Sequence, residues 1–383
     1  MNLTKQFFKY VSQNILGMIG FSCYVLADSY FISIAKGADG LTALNLVMPL
    51  YSIIFSIGEM IGVGSAIRYA ISKIKKDADA DDYFWNALIW CILSSMLFVF
   101  AGIFFSADIM RVLGADEHIV AVGNNYTKIF MCFAPMFMCN YVTNAFVRND
   151  GAPGIAMSAT LFSSLFNIVF DYILMFPMNL GMEGAALATA LSPIIGMGIC
   201  SIHFFSKKSS VRLVVCKPSV RKLVAGCQLG VSAFVGEMSS AVITLAFNFV
   251  ILKLAGNVGV AAYGVVANIA IVTTAVFNGV AQGSQPLISS CFGRGDKDGC
   301  TQLKRMGYTT AFVLAAVMYS ILFIFAGQFV AVFNSEGSEM LRLYATEGVK
   351  LYFIGIFFAG INIVGGGAFS ATEDAFKAAV VSV

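Results

Sequence analysis

The chain has 383 residues and a formal net charge of +3, with 58% of its residues hydrophobic and only 12% charged. A soluble domain carries about a quarter charged residues, so this balance, with a mean hydropathy of +0.82, excludes a water-covered globule. The apolar residues gather into runs of about 20, the length that crosses ~30 Å of hydrocarbon at ~1.5 Å per helical residue.

Predicted membrane helices cover residues 12–34 and 44–72, closed off in water by Lys73, Lys75, Lys76 and the aspartates up to Asp82. Further spans cover 84–105, 126–147, 155–177 and 184–205. A basic segment follows, with Lys207, Lys208, Arg212, Lys217, Arg221 and Lys222. It divides a first six-helix lobe over residues 1–206 from a second lobe over 226–383, with 207–225 as the cytoplasmic loop between them. Spans at 229–253, 261–290, 308–332 and 344–371 come next, and an eleventh apolar segment begins at Phe376. Placing the N-terminus in the cytoplasm puts Lys5, Lys9, the 73–76 cluster, Arg148, the basic loop, Arg294, Lys297, Lys304 and Arg305 on one side. Such an asymmetry is what the positive-inside tendency requires. The basic loop has no interleaved aromatic residues, so nucleic acid is not an expected partner.

The halves resemble each other. A shift of 219 residues lays Gly40 on Gly259, Ala43 on Ala262, Val47 on Val266, Gly64-Ser65 on Gly283-Ser284 and Asp77 on Asp296. After small gaps, Phe100-Ala101-Gly102 meets Phe325-Ala326-Gly327, and Ala145-Phe146 meets Ala368-Phe369. A duplicated six-helix unit explains both this and the hydropathy. An even helix number brings both copies into the membrane from the same side, giving an all-α polytopic membrane protein of two parallel six-helix bundles. Twelve helices are then expected, of which about ten and the start of the eleventh lie in this sequence, so the second lobe is expected to be C-terminally incomplete.

The cysteines form no CxxC pair and mostly lie in apolar runs, where they read as small buried hydrophobes. Two histidines, His118 and His203, are too few for an ordinary zinc centre. No GxxxxGK[ST] run occurs, so energy for any pumping comes from an ion gradient or a partner.

An ionisable group in mid-span is expensive unless paired, neutral or hydrated, and its default reading is functional. Asp28, Glu59, Asp171 and Glu237 qualify. Asn167 precedes Asp171 by one helical turn on the same face, where an amide can hold a carboxyl through protonation or lend oxygen to a bound Na+. Glu237 lies near the start of its predicted span, and Glu59 shares its helix with Arg68 in what also reads as a structural network. Asn144, Thr189, Asn248, Gln282 and Gln285 are further polar side chains in apolar runs, each of which individually reads first as helix-helix glue.

Five segments carry a family resemblance: Ala27-Asp28-Ser29-Tyr30-Phe31-Ile32, Phe146-Val147-Arg148-Asn149-Asp150-Gly151, Phe166-Asn167-Ile168-Val169-Phe170-Asp171-Tyr172, Ala262-Tyr263-Gly264, and the run from Gly279 through Gln282, Gln285 and Pro286 to Ser289. In order and spacing the chain resembles the MATE family of multidrug and toxic-compound extrusion transporters, nearest to bacterial MepA-like multidrug exporters. The resemblance implies two bundles that rock between inward-facing and outward-facing states. It also implies secondary active antiport, in which H+ or Na+ enters as bulky, often cationic or amphipathic compounds leave. Asp28, Asn144, Asn167, Asp171 and Thr189 match the first-lobe cation network, and Glu237 resembles an acid that some members use in the second lobe. Glu59, Gln282 and Gln285 are weaker coupling or substrate candidates. Some relatives bend the first helix at a proline; here none precedes Pro49, so such bending would rest on Gly17 and Gly20.

The same resemblance implies no cofactor, no metal beyond a transient Na+, small organic substrates and membrane lipid as partners, and a place in the bacterial cytoplasmic membrane; since the repeated lobes can form the pathway within one chain, a monomer is expected. The alternative within the superfamily is a lipid-linked saccharide precursor flippase, whose phosphate-bearing cargo asks for a basic cavity. The acids in the spans argue for cationic cargo instead. A receptor without transport would leave these acids without a role, and a membrane enzyme has no catalytic pairing here.

Overall fold

The computed structural model describes residues 3–333 and 338–382, without the side chains at 38, 245, 248, 252, 257, 332 and 333. The Asn248 side chain therefore lies outside the described residues. Among the described residues no strand occurs, and nine helices plus one bent pair are long and apolar enough to cross a membrane. In chain order the spans are α1 (Leu3–Gly37), α2 (Asp39–Lys75), α3 (Asp82–Val112), α4 (117–149), α5 (Pro153–Met175), α6 (Gly181–Phe204), α7 (Val220–Ile251), α8 (Val258–Gly293), α9 (Lys297–Ile324) and α10 (Glu339–Ser370). A short helix, Ala326–Phe333, follows α9, and α11 (Ala375–Ser382) has eight residues.

Two span starts and one bend that depart from expectation have a local reason. α4 starts nine residues before the predicted 126, because the Asp116 carboxylate accepts from Ile119 N at 2.8 Å and caps a polar first turn. It bends by 46° between Cys132 and Ala134, where Pro135 removes a backbone donor and crowds the preceding turn. α7 starts at Val220, not 229, with the Ser219 hydroxyl accepting from Lys222 N at 3.4 Å. Residues 220–225 are thus helical, and Glu237 sits about five turns inside α7.

The repeat is visible in the backbone. α1 meets α2 at Gly37 (φ 58°, ψ −142°), and α7 meets α8 at Gly256 (φ 62°, ψ −158°), the position reached by the 219-residue shift. Both lie in the left-handed region that a side chain adopts only with strain.

The lobes meet along a seam with the same symmetry. A Cβ on Gly64 of α2 would overlap the Gly226 carbonyl of α7, and one on Gly230 would overlap the Met60 carbonyl. Across the pseudo-twofold, a Cβ on Gly283 of α8 would stand 2.7 Å from Val11 Cα of α1. Phe7 and Val11 belong to the same buried core as Val280, Ile288, Leu303 and Val364, so the first turns of α1 are built into the second lobe. Ionic ties gather near this end: Arg68 of α2 pairs with Glu373, and Lys75 lies 3.9 Å from it. Asp150 secures the linker, accepting from His203 Nε2 at 2.8 Å and Ser210 N at 2.9 Å, while Asp81 accepts from Lys73 Nζ at 2.7 Å and Arg212 N at 3.1 Å.

The seam glycines are expected to be set by contact and not by propensity. Gly64→Val and Gly230→Val should each cost about 1–3 kcal/mol through overpacking, whereas Gly198→Ala, with nothing within 4 Å of its Cβ position, should cost nothing. Melting temperatures of the purified variants in detergent decide it; equal values for all three would remove the seam from the account.

Candidate functional site

α5 carries Asn167 and Asp171 on one face, and both are fully buried. α6 supplies Thr189, also buried. The amide orientation that satisfies both ends of Asn167 has Nδ2 donate to Asp171 Oδ2 at 3.1 Å while its oxygen accepts from Thr189 Oγ1 at 3.1 Å and Thr189 N at 3.3 Å. Asp28 of α1 is 7% exposed and acts electrostatically on Asp171. Asp28 Oδ1 and Asp171 Oδ1 have no hydrogen-bond partner. Among the described residues no basic side chain acts on either acid.

Three hydroxyls complete this environment. Tyr24 lies one turn before Asp28, and Tyr51 and Tyr126 are hydrogen-bonded to each other. All three act electrostatically with both acids. Tyr51 is fixed by stacking on Phe130, with centroids 3.6 Å apart. Buried carboxyl, amide and hydroxyl oxygens suit a proton or a hard monovalent cation. Among the described residues no cluster of His, Cys, Asp and Glu suits a resident metal ion.

Asn144 lies elsewhere. Its Nδ2 donates to Ala156 O at 3.1 Å and to Thr160 Oγ1 at 3.2 Å. Ala156 precedes Asn167 by 11 residues on α5, about 16 Å along the axis, so Asn144 joins a second group between the lobes. There Arg148 Nη1 donates to Gln282 Oε1 at 2.6 Å, and Gln282 Nε2 donates to Glu59 Oε1 at 3.4 Å. Glu237, about five turns inside α7, acts electrostatically on Glu59. Gln285 is buried with Oε1 unpartnered. Arg68, on the helix of Glu59, turns instead to Glu373.

The MatE family model matches the chain twice, over residues 14–173 and 233–383. The chain belongs to the MATE family. The two matches begin 219 residues apart, the register of the repeat. Among its relatives are the multidrug export proteins MepA of Staphylococcus saprophyticus, 25% identical over 367 residues, and of Staphylococcus aureus strain MRSA252, 26% identical over 372 residues. Each alignment covers 94% of this chain and 80% of the relative. Two solved structures each superpose with a TM-score of 0.92 at 20% identity, over all of this chain and 85% of the other. One is a multidrug resistance MATE family transporter of the MOP superfamily in an outward-facing conformation; the other is a MOP superfamily transporter from Pyrococcus furiosus with a binding pocket of reversed polarity.

As in its relatives the chain is a multi-pass membrane protein, but its two MATE repeats are chemically unequal. The 219-residue shift puts Phe247 at the place of Asp28, and Phe247 stacks on Tyr263 at 5.3 Å. These rings, with Tyr352 and Phe277, line an apolar cavity of about 660 Å³ in the second lobe.

Sequence reasoning brought out Asn167 with Asp171 and missed the tyrosines, although Tyr24 repeats the four-residue spacing before Asp28. If the amide and carboxyl of α5 form one unit, Asn167→Leu should destabilise the protein by about 1–3 kcal/mol by leaving a buried acceptor unsatisfied. The double variant Asn167→Leu/Asp171→Leu should be no less stable than the single. Thermal melts of the single and double variants test this, and additive losses would show the two side chains to be independent.

Proposed function

We propose that this protein is a secondary active antiporter that exports bulky, cationic or amphipathic organic compounds in exchange for H+ or Na+ by alternating access. The observation that carries this reading is the buried Asp28–Asn167–Asp171–Thr189 group, with two unpartnered carboxyl oxygens and no basic side chain acting on the acids. Two acids held out of water need a proton or a cation to offset their charge. An ion that arrives from one side and departs to the other meets that need. Tyr24, Tyr51 and Tyr126 supply hydroxyls around the ion, and Thr189 fixes the amide that positions Asp171.

Transport follows if the ion binds the two lobe arrangements unequally, since equal binding shifts nothing. Ion entry at Asp28 and Asp171 favours one packing of α1 against α5; substrate leaves from that state, and ion release returns the lobes. The names of the MepA relatives support multidrug export as the cargo class. Glu237 in α7 offers negative charge to a cationic substrate, and the aromatic wall at Phe247 and Tyr263 offers ring faces. The flippase alternative is not favoured, because Arg148, buried at the interface, is already offset by Glu59. The reading places the protein in the bacterial cytoplasmic membrane as a monomer, with its N-terminus and the lobe-linking segment in the cytoplasm.

The test is efflux of a fluorescent organic cation from liposomes under separately imposed H+ and Na+ gradients. One gradient should drive efflux, and Asp171→Asn should lower it about tenfold or more, the scale of a 1–3 kcal/mol coupling. Equal efflux with and without both gradients, from correctly inserted protein, would overturn the antiport reading.

A further inference from the structure

Between the lobes a buried cation bridges α4 and α8. Arg148, in the last turn of α4, is 4% exposed. Its Nη1 donates to Gln282 Oε1 of α8 at 2.6 Å, and Gln282 passes the connection to Glu59 of α2 at 3.4 Å. On its own lobe Arg148 Nη1 lies 3.5 Å from Asn144 Oδ1, and Asn144 bonds Ala156 and Thr160 of α5. Arg148 Nε has no partner. Beside this arginine is a void about the size of one water molecule, bordered by Asn14, Met18, Thr160 and Gln282.

Two features separate this chain of contacts from ordinary lobe packing. The first is that it crosses lobes through one side chain: Glu59, Asn144 and Arg148 come from the first lobe and Gln282 from the second, so moving the lobes apart removes the short charged hydrogen bond. The second is that it has no symmetry mate. The glycine seam repeats across the pseudo-twofold, whereas the shift that pairs Gly64 with Gly283 puts Val63 opposite Gln282, and the one that pairs Ala145 with Ala368 puts Gly367 and Ala371 opposite Asn144 and Arg148. Duplication of the fold therefore does not account for it.

We propose that Arg148 is the positioning residue of a polar latch, Arg148–Gln282–Glu59, that holds the lobes together at this contact. The contacts that form it stand apart from the antiport reading, and its test uses no gradient, so the two fail separately.

The reporter is native. Cys227 of α7 packs on the first-lobe core at the seam, and Cys91, fully buried in that same core, is the internal control. In the full chain reconstituted in liposomes, alkylation by a membrane-permeant maleimide is followed peptide by peptide in mass spectrometry. Arg148→Met and Gln282→Leu should each speed alkylation of Cys227 relative to Cys91 about tenfold, as expected for losing a hydrogen bond to a charged group. The exchanged pair, Arg148→Gln with Gln282→Arg, should return it to the starting rate, because Arg at 282 still has an acceptor at 148 and also faces Glu59. If Arg148→Met exposes Cys91 and so loosens the first lobe itself, Gln282→Leu decides, since it leaves that lobe's own residues intact. Unchanged Cys227 rates in the single variants, or an exchanged pair as fast as the singles, would overturn the latch.

Discussion

A carboxyl group inside the hydrocarbon region must have its charge met by the protein or by something bound to it, and the first lobe is organised by that demand. Asp28 and Asp171 arrive on α1 and α5 without a basic neighbour; an amide held by Thr189 bonds Asp171, and Tyr24, Tyr51 and Tyr126 lie within electrostatic reach of both acids. Dipoles of this kind lower the cost of a buried acid without cancelling its charge. The contrast with Arg68 and Glu373 is physical: there a permanent counter-ion closes the account, and the pair ties two elements together. Leaving the α1–α5 acids without one keeps their charge open to an ion that comes and goes.

Duplication supplied the frame for this site and then diverged from it. Backbone features are retained across the 219-residue register, namely the left-handed glycines at Gly37 and Gly256 and the close crossings at Gly64 and Gly283. Side chains away from those crossings are not: Asp28 is answered by Phe247 and Tyr51 by Ala270, and in the register that pairs Ala145 with Ala368, Arg148 is answered by Ala371. A glycine at a helix crossing is held by backbone sterics, since any Cβ would overlap a carbonyl or a Cα. A residue facing a cavity is under no such constraint, so one lobe can specialise in polar oxygen chemistry while the other presents stacked rings.

The sequence exposes the spans because lipid demands long apolar runs, and it exposes the repeat because crossing glycines recur in register. It hides the starts of α4 and α7, whose first turns are polar and whose caps, Asp116 and Ser219, lie outside the apolar pattern. Asn167 and Asp171 could be paired from their spacing alone, because four residues on a helix share a face. Asn144 could not be placed, since nothing local tells which turn of α5 it meets. Arg148 read as one more positive charge at an inside helix end; its acceptor, Gln282, is 134 residues away and belongs to the other lobe. Interactions that join the lobes are the part that one-dimensional periodicity does not contain.

α1 explains how a site in one lobe can act on the contact between two. It is helical from Leu3 to Gly37, and Gly17 and Gly20, on which any proline-free bend would have to rest, lie against Met157 and Leu161 of α5 within that unbroken helix. Asp28 lies in its C-terminal part among first-lobe groups, while Phe7 and Val11 are fixed in the second-lobe core. From Val11 to Asp28 is about 26 Å of helix at ~1.5 Å per residue. A rod anchored in both lobes does not have to bend to carry a signal: a small tilt where Asp28 meets α5 displaces the far end against Gly283, a contact with no room for even a Cβ. On the antiport reading, the tightness of the seam converts a local change of charge into a choice between two lobe packings, because close-packed crossings move as units or separate.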